Sequence, residues 1–252
     1  MTGRLEGRTA VITGASRGIG LAIAERLVAD GARVVITART PSALDDAVDR
    51  LGGARVALGV AGKADNLGHQ AETVRRAIET FGSVDMLVNN TGINPAFGPI
   101  MDLDLGAARK VVEVNCIAAL SWAQQVYHAW MKQHGGGIVN VSSVSGIRPE
   151  PGIGFYGASK SMLASLTELM ALELSPGIRV NAVAPALVRT KFASALFEGR
   201  EDEVAATYPL KRLGEADDVG SAVAFLLSED SSWITGQLLV VDGGVTLGSG
   251  VG

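Results

Sequence analysis

The chain has 252 residues, 47% of them hydrophobic and 19% charged, which is long and apolar enough to bury one sizeable core and excludes a disordered or fibrous chain. Its 22 basic and 26 acidic residues leave a net charge of −4 with no Lys/Arg block, so no nucleic-acid or membrane-surface partner is expected and small molecules remain. Glycine occurs 32 times, well above its usual share of about 7%, which points to tight turns and close backbone approaches.

The opening residues Met1 to Arg8 carry charge where a secretory apolar region would lie, and no apolar run approaches the ~18–20 residues of a membrane span, so a soluble, cytoplasmic protein is expected. The first predicted strand, Thr9–Thr13, runs into Gly14-Ala15-Ser16-Arg17-Gly18-Ile19-Gly20, and a helix is expected over Gly18–Asp30. A strand-to-helix turn without Cβ atoms lets backbone N–H groups reach a pyrophosphate, while the helix start adds partial positive charge. A purely structural glycine turn is the plain alternative. Gly14-x-Ser16-x-Gly18 also matches a hydrolase nucleophile elbow, but that chemistry needs an acid and then a histidine later in the chain. Here the last histidine is His134 and the turn follows the very first strand, so dinucleotide binding is favoured.

The second strand, Arg33–Thr37, leads to Thr37-Ala38-Arg39, with no acid to accept from both ribose hydroxyls of NAD. Arg39, joined by Arg17 from the glycine turn, can instead pair with a 2′-phosphate, so the expected cofactor is NADP(H). A helix over Ser42–Leu51, a strand over Arg55–Val60, a helix over Gly68–Phe81 and a strand over Met86–Asn89 follow. Next comes one long helix, Leu105–Gln133, in which Asn115 is a polar residue among apolar neighbours and can hold a proton-relaying water. The adjacent Cys116 reads as a small buried hydrophobe, and no histidine stands at zinc-ligand spacing from it, so neither disulfide nor metal site is expected.

Strand Gly137–Ser142 delivers Ser143, and a helix over Tyr156–Leu174 opens with Tyr156-Gly157-Ala158-Ser159-Lys160, which puts tyrosine and lysine on one helix face. Strands Arg179–Val183 and Leu238–Val241 and a helix over Glu215–Leu227 complete an alternation that implies a parallel sheet covered on both faces. The stretch Ala184–Leu213 has no regular pattern and is long for a connector, as lids often are. Hydride transfer to a carbonyl leaves an alkoxide that needs a proton. Tyr156 can supply it if the Lys160 cation draws the phenol pKa toward working pH, and Ser143 can hydrogen-bond the oxygen where charge develops. A chain that merely bound NADPH as a sensor would lack Tyr156 or Lys160, and both are present.

With these motifs in this order, the chain resembles the short-chain dehydrogenase/reductase family from about Leu5 to Val245. The resemblance rests on Thr13-Gly14-x-x-x-Gly18-Ile19-Gly20, Asn89-Asn90-Thr91-Gly92, Asn115, Ser143, Tyr156-x-x-x-Lys160 and Pro185 followed by Thr190. It implies a single Rossmann-type, doubly wound α/β domain over residues 1–252, with a seven-stranded parallel sheet in the order 3-2-1-4-5-6-7 and a substrate lid at about 184–213. Asn115, Ser143, Tyr156 and Lys160 take the catalytic positions. Cofactor contacts are implied for Gly14, Ser16, Arg17, Gly18, Ile19 and Gly20, for Arg39 and Ala64, and for Asn90, Thr91 and Gly92. Tyr156 and Lys160 join them, as do Pro185, Val188 and Thr190, with Asn90, Val188 and Thr190 near the nicotinamide half.

A homotetramer built on the two long helices and the last strand is implied as well. Within the family the chain looks like 3-oxoacyl-carrier-protein reductases, with some similarity to peroxisomal carbonyl reductases. The expected reaction is NADPH-dependent reduction of a 3-oxoacyl thioester, with acyl carrier protein as a partner, and the alternative is a carbonyl reductase or alcohol dehydrogenase acting on a free small-molecule ketone. Only Lys132 and His134, before the Gly135-Gly136-Gly137 turn, offer basic docking groups for such a carrier. Three positions depart from the family pattern: Thr91 stands for Ala, Ala186 for Gly, and Lys63-Ala64 for the Asp-Val pair that contacts adenine.

Overall fold

The computed structural model describes residues 4–248; the last residues of the glycine-rich C-terminal end lie outside them. Seven parallel strands form one sheet in the order 3-2-1-4-5-6-7: β1 (Thr9–Thr13), β2 (Arg33–Ala38), β3 (Ala57–Ala61), β4 (Met86–Asn89), β5 (Gly136–Val141), β6 (Ile178–Pro185) and β7 (Leu238–Val241). The helices are α1 (Gly18–Ala29), α2 (Pro41–Arg50), α3 (Leu67–Phe81), α4 (105–134), α5 (Gly154–Leu174), α6 (Glu201–Ala206) and α7 (Ala216–Leu227). Strand and helix order match the sequence expectation, with end shifts of one or two residues. At β3, Arg55 and Val56 belong to a turn closed by Val56 N donating to the Gly53 carbonyl at 3.1 Å.

The strands read as unbroken apolar runs because both faces of the sheet are buried. Ala10, Ile12, Val34, Ile36, Met86 and Val88 face one core with Leu27 and Val223, whereas Val11, Val35 and Leu87 face the other with Val74, Trp122 and Val126. On the first face α1 and α7 pack closely, since a Cβ on Gly220 would lie 3.0 Å from the Ala22 carbonyl oxygen.

Helix α4 departs from the uniform helix expected. Its α-helical segments Leu105–Val112, Ala118–Val126 and Lys132–His134 are separated by π turns at Glu113–Ile117 and Tyr127–Met131. The first of these carries Asn115, and π turns commonly mark places where a side chain has been re-aimed for function. The irregular stretch 184–213 contains a 3₁₀ turn, Ser194–Leu196, and α6. The three acids Glu201, Asp202 and Glu203 favour α6 at its positive N-terminal end, although they give it no apolar periodicity. Among the described residues no helix is long and apolar enough to cross a membrane.

Candidate active site

Parallel strands discharge their C-terminal ends on one edge of the sheet, and β1 and β4 are neighbours there although five other elements separate them in sequence. Gly14 and Gly18 have φ of +66° and +57°, where glycine is at no disadvantage. Gly20 has no spare room: a Cβ there would lie 2.5 Å from Asn90 Nδ2 and 2.6 Å from the Gly14 carbonyl oxygen. Asn90 fastens the turn by donating from Nδ2 to the carbonyls of Thr13 at 2.9 Å and Gly14 at 3.0 Å. Thr13 Oγ1 returns the tie, accepting from the backbone N–H groups of Asn90 and Thr91, both at 3.0 Å.

The N-terminus of α1 has no side-chain cap at Arg17, so its first N–H groups are left for an anion. A cradle that a Cβ would fill, an uncapped helix start and no acid at Thr37-Ala38-Arg39 together suit a dinucleotide pyrophosphate. Arg17 and Arg39 are exposed, and neither forms an ion pair among the described residues. Ser16 and Ile19 belong to the same turn, and Thr190 meets it from the far side, its Cγ2 standing 3.4 Å from where a Gly18 Cβ would be. Val188 is buried and bridges to Gly214, while Pro185 ends β6 opposite Val241. Ala64 turns its carbonyl inward to accept from Trp122 Nε1 at 2.9 Å and Gln70 Nε2 at 2.8 Å.

The reacting groups are gathered by β5, the turn that follows it and α5. Ser143 lies just past β5, where its hydroxyl accepts from Ser145 N at 3.2 Å and acts to lower the pKa of the nearby Tyr156 phenol. Lys160 is fully buried; Nζ donates to the Val141 carbonyl at 2.7 Å and stands 5.6 Å from the centre of the Tyr156 ring. A Cβ on Gly92 would come within 3.3 Å of that ammonium, so the glycine keeps the space beside it free.

Asn115 braces this group. Its Oδ1 accepts from Ile93 N at 2.8 Å, and its Nδ2 donates to the Ile93 carbonyl and to Ser159 Oγ, both at 3.0 Å. Cys116 is buried and donates from Sγ to the Ser159 carbonyl at 3.1 Å, with burial raising its thiol pKa, which fits a packing role.

One electrostatic expectation is corrected. Burial pushes the Tyr156 phenol up to about 12 against the pull of the Ser143 hydrogen bond, and burial lowers the Lys160 ammonium to about 8. Burial of the phenol dominates, so in the cofactor-free arrangement its pKa lies above the ordinary value rather than below it.

Sequence reasoning also missed a buried polar chain behind the site. Asn89 Nδ2 donates to the Ala119 carbonyl at 3.1 Å and to Asn140 Oδ1 at 2.9 Å, and Asn140 Nδ2 donates to Thr167 Oγ1 at 2.8 Å. The signal was there: an Asn inside Ile138-Val139-Asn140-Val141 is anomalous for a strand buried on both faces. Among the described residues no cluster of His, Cys, Asp and Glu is able to hold a metal ion.

Comparison with known proteins agrees with this fold. The family described as "Enoyl-(Acyl carrier protein) reductase" matches residues 14–246. "Dehydrogenase/reductase SDR family member 4" of Caenorhabditis elegans is 40% identical over 96% of both chains, and the protein of that name from Homo sapiens is 39% identical over 95% of this chain and 88% of its own. Among solved structures, a short-chain dehydrogenase/reductase described as glucose/ribitol dehydrogenase from Brucella melitensis superposes with a TM-score of 0.91 at 33% identity, covering 97% of this chain and 99% of its own. A short-chain type dehydrogenase/reductase from Mycobacterium ulcerans also gives 0.91, at 32% identity, with 98% and 92% covered.

Proposed function

We propose a specific reaction for a chain that belongs to the short-chain dehydrogenase/reductase family, and is thus an oxidoreductase: NADPH-dependent reduction of a ketone to a secondary alcohol. The observation that carries it is the Lys160 ammonium 5.6 Å from the centre of the Tyr156 ring, with the Ser143 hydroxyl near enough to the phenol to act on its pKa. A bound nicotinamide supplies the hydride. Tyr156 donates its proton to the carbonyl oxygen as charge builds there, and a phenol held near pKa 12 stays protonated and ready across the neutral range. Ser143 donates a hydrogen bond to the same oxygen, and Lys160 stabilises the phenolate until solvent restores its proton. Asn115 holds the 93 region against α5 so that this space keeps its shape. Arg17 and Arg39 select the 2′-phosphate of NADP(H).

An apolar side chain stands beside the phenol, since the Phe192 ring centre lies 6.4 Å from that of Tyr156. That favours a free, apolar carbonyl compound, with the segment 184–213 covering it. A 3-oxoacyl thioester is the second reading, favoured by the acyl-carrier description of the matching family. A homotetramer is part of the proposal. Leu172 and Trp233 are exposed, and on β7, which is an edge strand of the sheet, Leu239 and Val240 are accessible as well.

NADPH oxidation measured with a panel of free ketones and with an acetoacetyl thioester separates the two substrates. Turnover of the thioester alone sinks the first. In either case Tyr156→Phe lowers kcat by about 10²–10⁴-fold while leaving NADPH affinity unchanged. Full activity in that variant would reject the mechanism.

A further inference from the structure

We infer that the chain binds one structural water beneath its glycine turn, held between Asn89 and Thr91. A cavity of about 10 Å³ lies between the C-terminal ends of β1 and β4 and the helix α4, lined by Thr13, Ala64, Asn89, Thr91, Val114 and Trp122 among others. One water needs on the order of 10–15 Å³ and two to four polar partners. The cavity therefore admits one molecule and no larger ligand.

Two of its lining residues have buried oxygens with no partner in the protein, Asn89 Oδ1 and Thr91 Oγ1. Buried polar atoms left unpaired are rare in native proteins, and two around one small cavity mark a water site. The other polar groups there are already engaged. Thr13 Oγ1 accepts two backbone N–H groups, and the Ala64 carbonyl accepts from Trp122 and Gln70.

The orientation of the Asn89 amide follows from its neighbours. Its Nδ2 donates to the Ala119 carbonyl and to Asn140 Oδ1, so the oxygen is the atom left over, and it can only accept. The water donates to Asn89 Oδ1 and accepts from the Thr91 hydroxyl. Thr91 is one of the positions where this chain departs from the family pattern, and its hydroxyl fits because Gly14 has no side chain: a Cβ there would stand 2.9 Å from Thr91 Oγ1. The water thus ties the end of β4 to the residue two places on, beneath the turn between β1 and α1.

A crystal structure of the cofactor-free protein, at a resolution that shows ordered water, tests the site directly. The expected result is one density peak within about 2.6–3.2 Å of both Asn89 Oδ1 and Thr91 Oγ1. An empty cavity, or a Thr91 hydroxyl turned to a protein acceptor, overturns the inference. Thr91→Ser keeps the hydroxyl and should keep the peak. Thr91→Val keeps the shape but leaves the water with one partner, and should lose the peak and melt roughly 2–4 °C below Thr91→Ser. Equal melting temperatures for the two variants would count against the site. None of these readouts depends on turnover, so they stand or fall separately from the proposed reaction.

Discussion

At the scale of single residues, the buried lysine gives a pH-dependent prediction. Lys160 ionises at about 8 when folded against 10.5 as its ordinary value, so below pH 8 the folded chain holds an ammonium away from water at a constant cost to stability. Between pH 8 and about 10.5 the unfolded chain keeps that proton and the folded chain sheds it, so stability rises with pH. Lys160→Met has no such term. The melting temperature of the wild type relative to Lys160→Met should therefore increase from pH 8 to 10; a flat difference would show that the ammonium is not desolvated. Tyr156 works in the opposite sense only above pH 10, because its raised value leaves the folded chain protonated for longer. A second residue-scale prediction concerns the cofactor. Arg39→Asp puts a like charge beside the 2′-phosphate and should cut the preference for NADPH over NADH by about tenfold or more in binding titrations. An unchanged ratio would remove Arg39 from that role.

Among elements, those legible in the sequence were those whose pattern is set locally. Each strand is a short β-branched run because its two faces meet two cores, and Tyr156 and Lys160 announce themselves because four residues make one helical turn. The π turn at Glu113–Ile117 was not legible, since what accompanies it is tertiary: Asn115 spends both ends of its amide on Ile93 and Ser159, which lie far away in sequence. Helix α6 escaped for a different reason, being polar throughout its first turn. The direction of the Tyr156 shift was misjudged because burial of the phenol, which raises it, is a tertiary property that a sequence does not display. Packing between elements also makes a prediction. Gly220 lets α7 touch the backbone of α1, so Gly220→Val should overpack that contact at about 1–3 kcal/mol, lowering the melting temperature by roughly 2–4 °C for each kcal/mol. A variant as stable as wild type would mean that the two helices separate freely.

For the whole molecule, the sheet order puts the glycine turn on β1 and the reacting trio on β5 and α5, with the β1–β4 boundary between them. NADPH at 100 times its dissociation constant should stabilise the fold by about 2.7 kcal/mol, a rise in melting temperature of roughly 5–10 °C. No rise would mean that the cradle does not hold it. That boundary is held by the pairing of β1 with β4 and by side-chain hydrogen bonds of Thr9, Thr13 and Asn90. A dinucleotide lying over it would add a further clasp to a seam that the sheet already closes. Limited proteolysis should then depend on occupancy along the entire seam, and an enzyme starved of its coenzyme in the cell would be the form that is cleared first.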